Sequence, residues 1–159
     1  MIKKKSGFTL IEILVVVSVM AILFSLGLAQ YMKFNRQQIL EQAILELKTD
    51  LTDARSKALS GKKECTEGVF DGVLVDFSPG NYVLYSSCGG GLDLKLISDT
   101  QLSSGVKITE SPEDGILFKP ITGGTDIQEE SGATITLSGY GTTKNLEVYP
   151  DGKIDLISE

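Results

Sequence analysis

The chain has 159 residues, enough for one globular unit with an extended element and too few for two independent cores. Its 15 basic residues stand against 21 acidic ones, and a net charge of −6 repels the phosphates that dominate nucleic-acid affinity, so DNA and RNA are poor partners. Histidine is absent, which removes His-dependent triads, His general bases and His metal ligands, and no residue pattern calls for a cofactor.

The first element is a short basic leader with Lys3, Lys4 and Lys5. Residues 8–32 follow with a single formal charge, Glu12, and include the run IEILVVVSVMAILFSLGLA. About 20 apolar residues cross a bilayer as a helix, so this stretch is expected to span one. A secretory signal peptide also starts basic and then apolar, but its apolar region is only about 7–15 residues long. The lysines favour a cytoplasmic N-terminus and an extracytoplasmic body. Glu12 is out of place in such a run: a carboxylate in hydrocarbon costs a few kcal/mol or more and calls for a partner.

The run KKKSGFTLIEILVVVSVMAIL resembles the N-terminal processing and methylation signature of type IV prepilins and pseudopilins. Mapped by position, the resemblance implies cleavage between Gly7 and Phe8, N-methylation of Phe8 as the new terminus, and an assembly role for Glu12. It implies as partners other pilin or pseudopilin subunits, the prepilin peptidase and methylase, the inner-membrane assembly platform, and membrane lipid before assembly. The chain would then be a single-pass inner-membrane protein that passes into a filament. Cleavage creates an α-amino cation at Phe8, and Glu12 of one subunit can pair with that cation on its neighbour. Loss of the three leader lysines leaves 12 basic against 21 acidic side chains, a net −9.

Beyond the apolar run, Leu40, Ile44, Leu47, Leu51, Ala54 and Ala58 recur at steps of four and three, the spacing of one helical stripe. No proline interrupts residues 8–60, and Gly61 is the expected stop. A helix of about 50 residues, ~80 Å long, is predicted. Its second half shows Gln37, Glu41, Lys48, Asp53 and Lys57 to water and docks its stripe on the protein's own sheet.

From Cys65 onward short β-rich runs alternate with Gly, Pro, Asn and Ser. VLVDF and YVLYS, joined across Ser78-Pro79-Gly80-Asn81, read as a hairpin. Further strands are expected from Leu92, Val106, Ile116, Thr134, Asn145 and Lys153, the last two joined by the turn Pro150-Asp151-Gly152. The only cysteines, Cys65 and Cys88, either form a disulfide in an oxidising compartment, closing a loop of about 20 residues worth ~3 kcal/mol, or are two unrelated thiols.

Ala54-Arg55-Ser56-Lys57-Ala58, LFKP followed by GG in residues 117–124, and GATITL…KNLEVYPDGKIDL resemble, more weakly, a group uniting minor pseudopilins of type II secretion with a minor type IV pilin. One member of that group binds DNA for uptake through basic residues near its C-terminus. The corresponding end here, DGKIDLISE, is acidic on balance and disfavours that role. Asp126, Glu129 and Glu130 share a loop whose spacing does not follow a Ca²⁺-binding EF-hand, and Gly89-Gly90-Gly91 lacks the Lys and Ser/Thr of a phosphate loop and reads as a flexible turn.

The expected fold is α+β and pilin-like, a long N-terminal helix on a mostly antiparallel sheet. Its parts are a leader over residues 1–7, a transmembrane and polymerisation half-helix over 8–32, an amphipathic half-helix over 33–61 and a β-rich domain over 62–159. The expected function is that of a structural subunit, minor in class, and not an enzyme. The alternative is a pilus-tip module contacting a surface, an exported substrate or DNA.

Overall fold

The computed structural model describes residues 9–64 and 68–157. The helix α1 runs Leu10–Ser60, followed by eight strands: β1 (Phe70–Ser78), β2 (Asn81–Cys88), β3 (Asp93–Gln101), β4 (Val106–Glu110), β5 (Ile116–Phe118), β6 (Ala133–Gly139), β7 (Thr142–Val148) and β8 (Ile154–Ile157). The architecture is α+β and pilin-like. The chain divides into two compact units, one up to Arg36 and the other from Gln37 onward.

In the second unit the predicted stripe is the spine of the core. Leu40, Ile44, Leu47, Leu51, Ala54 and Ala58 are all buried, together with Ala43. The small residues at positions 54 and 58 let the strands approach the end of the helix, which stops at Gly61 with its N–H donating to Ala58 O. One apolar cluster joins this stripe to Val73, Val75, Leu84 and Phe118 of one sheet and to Ile135, Leu137, Leu146 and Val148 of another.

The strands therefore form two four-stranded antiparallel sheets where one was expected, with orders β3-β2-β1-β5 and β4-β6-β7-β8. The division follows from a long-range return: β5 pairs with β1 through Val73↔Phe118, Leu74↔Leu117 and Val75↔Ile116, while β4 pairs with β6. A backbone bond from Ile108 N–H of β4 to Pro79 O of the β1–β2 turn links the two sheets, and Leu102 N–H to Gly80 O holds the end of β3 to that same turn. The predicted hairpin is present, with Phe77 opposite Tyr82 and Ser78 opposite Asn81.

Polar groups beside the stripe fix the helix against both sheets. Asp50 accepts hydrogen bonds from the Tyr82 hydroxyl at 2.7 Å and the Thr100 hydroxyl at 3.3 Å, and Lys144 of β7 reaches Glu41 at 3.8 Å. Burial, with the bond to Asp50 next in weight, pushes the Tyr82 hydroxyl far above its ordinary value of 10.0. An unfolded Tyr82 therefore releases its proton above about pH 10 whereas the folded one keeps it. The stability this gives is complete below pH 10 and is lost as pH rises further, at up to about 1.4 kcal/mol per pH unit. Urea unfolding between pH 8 and 12 should show that decline, and Tyr82→Phe should remove its share of it while lowering stability at pH 8 by about 1.5–3 kcal/mol.

Candidate assembly helix and the clasp at its end

Helix α1 opens on a cap. The N–H of Glu12 donates to Thr9 Oγ1 at 3.4 Å, which satisfies one of the donors that a first turn leaves orphaned, and the N–H of Ile13 makes the first helical bond to Thr9 O at 3.3 Å. The sequence Thr9-Leu10-Ile11-Glu12 has the T-x-x-E form of a capping box, a local signal that the prepilin signature overshadowed in the sequence reading. Glu12 also places a carboxylate at the positive end of the helix, where the peptide dipoles favour it. It is exposed, and among the described residues no cation pairs with it.

From Leu10 to Phe24 the side chains other than Glu12 and Ser18 are apolar and exposed, including Leu10 at 83%, Ile11 at 71% and Phe24 at 74%. Ser18, a polar exception, donates its hydroxyl back to Leu14 O at 2.8 Å and so adds no free donor to the surface. An apolar surface of this size on a single chain marks contact with lipid or with other protein. Among the described residues no helix is long and apolar enough to cross a membrane. The side chains of Ser25, Leu26, Gly27 and Ala29 lie outside those described, so the continuous described run reaches from Leu10 only to Phe24. Gly7 and Phe8, the expected cleavage and methylation residues, also lie outside the described residues.

Of the expected cysteine pair, Cys88 is buried at the end of β2 and disulfide-bonded; Cys65 lies outside the described residues. Cys88→Ser is expected to lower the unfolding free energy by about 2–5 kcal/mol, measured by urea titration of oxidised protein.

A second constellation lies at the helix end. Arg55 donates from Nε to Gly123 O at 2.9 Å and from Nη2 to Asp151 O at 3.0 Å. Thr125 donates its N–H to Pro150 O at 2.8 Å and its hydroxyl to Tyr149 O at 3.2 Å. Arg55 and Thr125 thus clasp the helix end, the loop after β5 and the turn between β7 and β8. All three segments that carry the weaker family resemblance meet here, which their separation in sequence hides. Within this loop Ile121 is 89% exposed and has φ 71°, a strained conformation for a β-branched residue.

The acidic loop is tied rather than free at Asp126, whose Oδ1 accepts the Leu117 N–H at 3.0 Å. The glycine turn after Cys88 is held too: Gly89, Gly90 and Gly91 all have positive φ, and Asp71 Oδ2 accepts the N–H groups of Gly90 at 2.6 Å and Gly91 at 3.2 Å. A concave row of amides that could receive an anion is filled by the chain's own carboxylate.

A family model described as the prokaryotic N-terminal methylation motif matches residues 2–28. Two fimbrial proteins of Pseudomonas aeruginosa are each 34% identical to the chain over 61 residues, 38% of this chain and 40% of the relative. The match thus spans less than half the length of those relatives. No solved structure matches. The methylation motif, the similarity to fimbrial proteins and the long helix followed by antiparallel sheets are features that the chain shares with type IV prepilins.

Proposed function

We propose that this chain is a structural subunit, minor in class, of a type IV pilus or a type II secretion pseudopilus. One observation carries the reading: the methylation motif runs directly into a capped helix whose apolar surface is exposed and whose first turn holds a lone carboxylate. In this proposal residues 8–32 store the chain in the inner membrane with its N-terminus cytoplasmic and its body outside. The prepilin peptidase cuts between Gly7 and Phe8 and methylates Phe8. The assembly platform then moves the helix from lipid into a bundle of like helices, where the surface that faced acyl chains faces neighbouring subunits. The body contributes no chemistry of its own to these steps.

The minor-class assignment rests on the weaker resemblance and gains support from the meeting of its three segments at Arg55. The test is fractionation of cells with and without the peptidase. The chain should be shorter by its leader, and present in sheared filaments at low stoichiometry to a major subunit, only when the peptidase is active. A chain of one size in both strains that never leaves the membrane fraction would contradict the proposal.

A further inference from the structure

Strand β3 ends the first sheet. One side of its backbone pairs with β2, and among the described residues no strand lies along the other. An unpaired edge offers its N–H and C=O groups to any further strand. Leu92, Leu94 and Leu96 alternate along this edge and are exposed, Leu92 at 92%. Leu96 stands in register with Tyr85, Leu74 and Leu117, so the leucines continue an apolar row across the sheet. Asp93 and Lys95 alternate with the leucines and therefore stand on the opposite face. The segment is bounded on both sides. Asp71 fixes the glycine turn before Leu92, and a register shift at Ile97 interrupts the ladder after Leu96.

We propose that β3 pairs antiparallel with β3 of a second copy of this chain, about a two-fold axis at Leu94. Charge selects the register. Centring the pair on Asp93 opposes Asp93 to its own copy, and centring on Lys95 opposes Lys95 to its own copy. Centring on Leu96 runs half of the pair across the register shift at Ile97, where the ladder is interrupted. Centring on Leu94 sets Leu94 on Leu94, Leu92 on Leu96 and Asp93 on Lys95, twice over by symmetry. Of the registers that lay Leu94 on a leucine of the segment Leu92–Leu96, it is the one that opposes no like charges, and cross-strand pairs of both kinds stabilise a ladder. Asp93 already has an interaction within its own chain. Its carboxylate has about four acceptor sites, enough for a further donor. A single strand pair buries less than the ~1,200 Å² of a stable complex, so the contact is weak and serves chains held close together. It joins two four-stranded sheets into one of eight strands and does not depend on filament assembly.

The test uses the full-length chain purified in non-ionic detergent, with its native cysteines kept and one cysteine added. In the proposed register the two copies of position 94 face each other at about 4.5–5.5 Å between Cα atoms, within disulfide reach. Under mild oxidation Leu94→Cys should give about tenfold more linked dimer than Leu96→Cys or Thr100→Cys, whose copies lie apart. Adding either Asp93→Lys or Lys95→Asp should lower the Leu94→Cys yield about fivefold by opposing like charges, and adding both should restore it. Equal yields at the three positions, or failure of the double exchange to restore dimer, would overturn the proposal.

Discussion

Glu12→Leu is expected to leave the chain in the membrane and to abolish its entry into filaments. The direction of each half follows from the same charge. In hydrocarbon a carboxylate costs a few kcal/mol on insertion scales, so its removal does not weaken, and should strengthen, retention in lipid. In a helix bundle the carboxylate can meet the Phe8 ammonium of a neighbour. A buried ion pair that loses one member leaves the other uncompensated at a cost of about 3–5 kcal/mol, a factor of about 150 to 5,000 in subunit addition. The helix cap is not what is lost, because Thr9 bonds the backbone N–H of Glu12 and not its side chain. Glu12→Gln, which keeps the shape and removes the charge, should fail in the same way. Membrane fractionation combined with quantification in sheared filaments separates insertion from assembly. Normal incorporation of either variant would remove the pairing role from Glu12.

Gly152→Ala should be strongly damaging for so small a substitution, costing about 3 kcal/mol or more. The residue has φ 79°, and a Cβ built on it would lie 2.0 Å from Gly123 O and 2.7 Å from Arg55 Nε. The left-handed conformation alone costs a side chain about 1–2 kcal/mol, and the nearer obstacle is backbone that is itself held by Arg55. The loop after β5 must move, and with it the link between the two sheets. Arg55→Ala should cost less, about 1.5–3 kcal/mol, by leaving Gly123 O and Asp151 O without their donor. The two losses should not add, because both open the same clasp. Urea unfolding of the single and double variants measures this directly. Additive losses would mean that Arg55 and Gly152 act apart.

Much of the architecture was legible because periodicity is a local signal. The stripe from Leu40 to Ala58 repeats at helical spacing and is buried at every predicted position. All eight strands fall where alternation placed them, although β7 starts at Thr142, three residues before the expected Asn145. That difference arises at Tyr140-Gly141, both with positive φ in the turn after β6, where a tyrosine gives no turn signal. The split into two sheets was not legible, since alternation says that a strand has a buried face and not which strand lies beside it. Pairing of β1 with β5 joins residues about 40 positions apart, and nothing local marks it.

The candidate site divides along the same line. Glu12 announced itself by a charge inside an apolar run, and its cap was written in Thr9-Leu10-Ile11-Glu12. Arg55 sits one position beyond the buried Ala54 and reads as an ordinary solvated charge until the loop and turn it binds are folded against it. The partner expected for Glu12 belongs to another subunit and so to no single chain.

The central claim, that this helix is trimmed and then used for assembly, is tested most directly by the mass and sequence of the N-terminus of the chain recovered from cell membranes. N-methylated Phe8 is expected as the first residue. An intact Met1, or a terminus within the apolar run, would contradict it.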